Sequence, residues 1–193
     1  LCTAGPDGLD ANHLPFHLDP SPTADSPHGT LLAHVARANP LWREVASGSH
    51  VMVVFRGAQG YITPNSYPSK HETHRAVPTW NYEAVHAHGM LWIHDDEKFT
   101  RTVVARLTHT HEAQATEPAS GLRPWKMGDA PCDYLDAMLR AIVGIELRIT
   151  RLEGKRKLSQ NRETRDLEGA IDSLQQRGHT DLAQAMAQAR TPS

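Results

Sequence analysis

The stretch "VGIELRITRLEGKRK", Val143 to Lys157, alternates along its first half. Val143, Ile145, Leu147 and Ile149 fall on one side and Gly144, Glu146 and Arg148 on the other, the period of a strand with one apolar face. Its basic end runs into "KLSQNR", Lys157 to Arg162, where Ser159, Gln160 and Asn161 offer uncharged hydrogen-bonding groups between basic side chains. A solvated loop has the same composition, so the meaning of this end depends on the rest of the chain.

Working back from it, the near-continuous β-branched and apolar run "HVMVVFRG" (His50 to Gly57) predicts a central strand, with a short strand "GYIT" after it. "TLLAHVA" reads as another strand ending at "RANP", and a long one is expected from Trp80 to Asp95, with Gly89 as a bulge or close backbone approach. Leu14, Phe16 and Leu18 alternate with Pro15 and His17, and "GPDG" (Gly5 to Gly8) is a turn signal. Helices are expected from Pro40 in "PLWREVA", after "DDEK" with Phe99, Val103 and Leu107 as the apolar face, and over "APCDYLDAMLRAI". From Glu163 the tail reads as two helical pieces broken at Gly178. "PNSYPSKHETHRAVPTWNY", with three prolines and no periodicity, is read as a long functional loop. The pattern as a whole is α+β, built on an antiparallel barrel or curled sheet with flanking helices. It divides into a main domain over 1–162 and a helical tail over 163–193. Leu1 falls inside a strand pattern, so a preceding segment is expected.

The 193 residues can bury a true core, and a formal charge of −2 argues against a broad electrostatic grip on nucleic acid. No apolar run approaches the roughly 20 residues needed to span a bilayer, and no signal-peptide pattern opens the chain, so a cytoplasmic location off the membrane is expected. Cys2 and Cys132 form no CxxC pair and read as free thiols of a reducing compartment.

Thirteen histidines raise the question of a metal. His86 and His88 share one face of a strand, as would His109 and His111 in an extended segment. "HETH", His71 to His74, spaces its histidines by three rather than the four of the helical zinc signature. No cysteine spacing supports a structural zinc, and no metal is expected. His71 and His74 are assigned to solvent. There is no GxSxG elbow, no GxGxxG behind a strand and no Walker lysine. Two segments suit an anion better. "HVARANP" sets His34, Arg37 and Asn39 at a strand end before a helix, and "KRKLSQNR" clusters Lys155, Arg156 and Lys157 with neutral donors. A solvated strand end is the alternative for each. Tyr61, Tyr67, Trp80 and Tyr82 lie between them and could pack in a core or border a planar ring.

"TAGPDGLDANHLPF", "GTLLAHVARANPLW", "YITPNSYPSK", "VPTWNYEAVHAHG" and "AIVGIELRITRLEGKRKLSQNR" together resemble the PaiB-type FMN-binding negative transcriptional regulators. The similarity is ordered and runs from Thr3 to about Arg162. It implies a split β-barrel of the flavin-reductase and pyridoxamine-phosphate-oxidase kind, a homodimer, and FMN as cofactor at the subunit interface. By the same resemblance His34, Ala36, Arg37 and Asn39 would hold the flavin phosphate or its neighbourhood. Lys157, Ser159, Gln160 and Asn161 would complete the pocket, and Tyr67, Pro78, Thr79, Trp80 and Asn81 would border the ring or the dimer seam. The family name also implies DNA as a partner. Seven of the twenty basic residues fall between Arg148 and Arg165, but no reader motif is present. A flavin-dependent oxidoreductase is the competing function, and a haem-handling barrel the third. No acid, base or nucleophile stands out around which to specify a substrate.

Overall fold

The computed structural model describes residues 1–5, 8–115 and 121–189. β1 (Cys2–Gly5) and β2 (Gly8–Ala11) form an antiparallel hairpin with Gly5 opposite Gly8. The two central residues of "GPDG" lie outside the described residues. β3 (His17–Asp19) pairs with β4 (Thr30–Ala36), and β4 pairs along its whole length with β7 (Ile142–Lys157). With β5 (Ser49–Ile62) and β6 (Thr79–His94) the sheet order is β2-β1-β5-β6-β7-β4-β3. This is an antiparallel α+β arrangement with an open strand order.

The chain divides into two compact units, and β5, β6 and β7 each run through both. The first comprises Leu1–Val53 and Ala87–Leu152. Its core is the apolar side of the β7 alternation, Val143, Ile145, Leu147 and Ile149, packed with Leu31, Ala33, Val35, Val53 and Leu91. On the polar side α3 (Glu97–Ala115) lays Phe99, Val103 and Leu107 over Leu32. Gly144 makes room for this, because a Cβ there would lie 2.5 Å from the Phe99 ring. α1 (Leu41–Glu44) and α4 (Cys132–Arg140) complete the unit.

The second unit comprises Val54–His86 and Glu153–Ser193. α5 (Thr164–Gln176) and α6 (Thr180–Gln188), separated at Gly178 with φ 78°, close a core of Ile62, Tyr67, Leu158, Leu167, Leu174, Leu182 and Met186.

Four expectations are corrected. "GYIT" is not a separate strand. Gly57 and Gly60 continue β5 because a Cβ at either would crowd Glu83 or Leu182, so they serve close packing rather than a turn. The proline-rich segment is no irregular loop: after a 3₁₀ turn at Pro64–Ser66 it forms α2 (Pro68–Thr73). Pro68 suits the first helical turn, where an N–H would lack a partner, and His74 ends the helix at φ 57° with its N–H on the Lys70 carbonyl. His109 and His111 lie on α3, so a spacing of two does not put them on one face. The strand expected at Leu14 shrinks to His17–Asp19, since Pro15 cannot donate to a ladder, while Leu14 and Phe16 still pack against the first core.

Candidate functional site

In the second unit the end of β7 turns inward at once. Leu158 is fully buried in the core and Ser159 is buried beside it at φ 63°. A left-handed serine is strained unless its surroundings hold it. Asn81, fully enclosed on β6, does so: its Nδ2 donates to Ser159 Oγ at 2.9 Å, and the Ser159 hydroxyl meets Asn81 Oδ1 at 3.1 Å. Gln160 closes the turn on itself, accepting from the Leu158 N–H and donating to the Arg156 carbonyl, both at 2.9 Å. The Arg162 guanidinium lies 4.8 Å over the Tyr67 ring. Tyr67 is wholly enclosed, and its hydroxyl, next to Ser159 and Arg162, has no partner in hydrogen-bonding geometry among the described residues. Burial, opposed by Arg162, pushes this phenol up.

Of the residues carried over from the resemblance, Ser159 and Gln160 form this turn, Asn81 holds it from β6, and Tyr67 lies under Arg162 beside it. Lys157, Asn161, Pro78 and Trp80 are exposed, and Thr79 is half-buried. His71 and His74 are exposed, His71 Nε2 lying 3.2 Å from the Asn65 carbonyl.

The other four, His34, Ala36, Arg37 and Asn39, belong to the first unit, and two have their polar groups engaged there. The Arg37 fork grips Asp95 through Nη1 at 2.9 Å and Nη2 at 2.5 Å, and its Nε donates to the Arg140 carbonyl. Arg37 in turn holds the Asp95 carboxyl below the usual carboxylate range. Asn39 donates to Asn12 Oδ1 at 2.7 Å and accepts from the Leu41 N–H. Ala36 is exposed.

His34 is half-buried with Nδ1 unpartnered among the described residues, and burial holds its imidazole below the ordinary value of 6.5. The folded protein therefore resists a proton that the unfolded chain accepts. Its contribution to stability is fully present above pH 6.5 and falls as the pH drops from there through the lower folded value. Thermal denaturation between pH 7.5 and 5 should show that part of the slope removed in His34→Leu.

A second polar cluster in the first unit escaped sequence reasoning. Glu146 receives His94 Nε2 on one oxygen and Arg148 Nε on the other, each at 2.7 Å. His94 stacks on Phe99 at 3.9 Å, and Arg148 lies 4.7 Å over the Trp92 ring. The legible signal was the polar side of the β7 alternation matched by even-numbered Met90, Trp92 and His94 on β6.

Residues 1–151 match the family model described as "Putative FMN-binding domain". The match takes in His34 and Asn81 and ends before Lys157. An uncharacterized protein of Emericella nidulans is 33% identical over 93% of this chain and 80% of its own length. The protease synthase and sporulation protein PAI 2 of Bacillus subtilis is 29% identical over 86% of this chain and 72% of its own. Among solved structures, the FAD and heme binding protein of Mycobacterium smegmatis aligns with a TM-score of 0.45 and 14% identity, over 81% of this chain and 63% of that one.

Proposed function

This chain belongs to the FMN-binding domain family, with FMN as cofactor, and from that premise we propose that it is a PaiB-type negative transcriptional regulator. The observation that carries the site assignment is the Asn81–Ser159 pair, which joins segments 78 residues apart. It fixes Thr79, Trp80 and Asn81 against the turn that presents Lys157 and Asn161. The donor set fits the group. The exposed Trp80 offers a planar face and the exposed Lys157 a charge for phosphate. When bound, FMN supplies hydride or electron transfer. This chain's residues bind and orient it. His34, Ala36, Arg37 and Asn39, in the first unit, are proposed from the family resemblance alone as flavin-binding residues, Arg37 serving by exchanging Asp95 for the ligand.

The exposed Val54, Phe55, Trp80 and Val85 on the strand segments of the second unit support a homodimer. Light scattering at micromolar concentration should give twice the chain mass.

One observation favours the second reading, a flavin-dependent oxidoreductase. Arg148, Arg156 and Arg165 in the basic segment each pair with a carboxylate, Arg156 with Glu83 and Arg165 with Glu72 at 2.7 Å. That leaves less free charge for DNA phosphates than the sequence suggests. Binding to promoter fragments that weakens steeply with salt supports the regulator. No shift of any fragment, with FMN bleached by NADH or NADPH, supports the enzyme.

The flavin site itself is tested by fluorescence titration. A charge-assisted hydrogen bond to a bound anion contributes ~1.5–3 kcal/mol, so Lys157→Ala and Arg37→Ala should each weaken FMN binding by roughly ten- to a hundredfold. Asp95→Asn should tighten it by freeing the Arg37 fork, and His71→Ala should leave it unchanged. Parent-like affinity in both Ala variants places the pocket elsewhere.

A further inference from the structure

Alternation puts Met90 and Trp92 of β6 and Glu146, Arg148 and Thr150 of β7 on the sheet face opposite the first core. A cavity of about 490 Å³ opens there, lined by Met90, Trp92, Arg148 and Thr150 and by Asp25 from the segment before β4. That volume suits a small molecule. All of these residues belong to the first unit, and none is among those proposed for FMN.

The arginine is held in a particular way. Its Cζ lies 4.7 Å from the centre of the Trp92 ring, and its Nε is fixed by Glu146 at 2.7 Å. Glu146 is itself mostly buried and taken on its other oxygen by His94, so it cannot swing to the far edge of the guanidinium. Among the described residues the far edge is met only by Asp25, at 3.6 Å from Nη1, longer than a hydrogen bond. Asp25 stands on a side chain 78% exposed. Arg148 is therefore oriented from behind, backed by an aromatic face, with two donors towards the cavity and an exposed, loosely engaged counter-ion in front.

We propose that this cavity binds a small aromatic carboxylate. The planar fork of Arg148 matches the two oxygens of a carboxylate, which displaces Asp25, while the ligand ring packs on Trp92 and Met90. Thr150 gives its hydroxyl to the His88 carbonyl at 3.3 Å and leaves its oxygen as an acceptor at the cavity wall.

The test is calorimetric titration of the whole chain with benzoate, with and without saturating FMN, and with benzamide as the uncharged analogue. Benzoate is expected to bind saturably in both states, and benzamide at least about tenfold more weakly, because a neutral amide forgoes the charge-assisted pair. Arg148→Lys keeps the charge but loses the fork, and should weaken benzoate by on the order of tenfold. Asp25→Asn removes a competitor from an exposed position, leaves the sheet intact, and should tighten benzoate several-fold. The proposal is overturned if parent and Asp25→Asn both give no saturable heat, or if benzamide binds as well as benzoate. It is overturned equally if Asp25→Asn weakens binding, which would mark a site for cations, or if benzoate and FMN compete, which would make the cavity part of the flavin pocket.

Discussion

Gly89→Ala is expected to cost at least about 3 kcal/mol of unfolding free energy, at the upper end of what overpacking usually exacts. A Cβ at this position would stand 2.0 Å from the Arg148 carbonyl oxygen, 2.8 Å from its carbon and 3.1 Å from a Leu147 methyl. The atoms in the way are the backbone of β7, not the tip of a flexible side chain. They cannot withdraw without dragging Leu147, which is fully buried in the first core. β6 and β7 would have to separate where the sheet is most tightly filled. Gly154→Ala is the matched control: it lies on the same β7, no described residue comes within 4 Å of where its Cβ would stand, and it should change stability by less than about 0.5 kcal/mol. Urea denaturation of both variants decides it.

Asp166→Ala should be the next most damaging change, at about 2–3 kcal/mol, because it breaks hydrogen bonds to a charged group and leaves their donors behind. Asp166 is almost wholly buried at the start of α5. Its carboxylate takes the Ser69 N–H at 3.0 Å and the Ser69 hydroxyl at 2.5 Å, tying α2 to α5 across 97 residues. Burial works against ionisation here, but the two bonds from Ser69, helped by Arg165 and Arg162, hold the carboxyl below its ordinary value of 3.8. The sign follows. The folded state gives up this proton more readily than the unfolded chain, so its contribution is present above about pH 4 and is lost as pH falls through the lower folded value. A double-mutant cycle with Ser69→Ala should recover most of the loss as coupling, and acid denaturation of Asp166→Ala should begin from a lower baseline with a shallower slope.

The strands were legible wherever one face is apolar. "TLLAHVA" is β4 to the residue, because Leu31, Ala33 and Val35 repeat at a period of two between a turn and "RANP". β7 was legible for the same reason. Local punctuation misled where glycine or proline served something distant. Gly60 reads as a break until Leu182, which needs its space, is known. Pro68 reads as part of a loop until Asp166 is seen holding Ser69, the next residue of the helix that Pro68 opens. At the candidate site the residue types could be found and their engagements could not. Nothing near Arg37 in sequence announces Asp95, 58 residues on, as its partner, and nothing near Ser159 announces Asn81. Side-chain pairing across strands depends on register, and register is set by the whole sheet.

Because β5, β6 and β7 each thread both compact units, neither unit is a continuous length of chain. The ribosome delivers β4, β5 and β6 well before β7, yet the core of the first unit needs Val143 to Ile149 and that of the second needs Leu158 and both tail helices. A nascent chain released as far as residue 140 holds neither core. Folding must then wait for almost complete synthesis and begin with pairings between distant segments, β4 with β7 above all, which are slow to form because long loops have to close first. Until then the apolar runs of β4 and β5 stand uncovered, and a stall in translation before β7 would leave a chain prone to aggregate rather than a smaller folded domain.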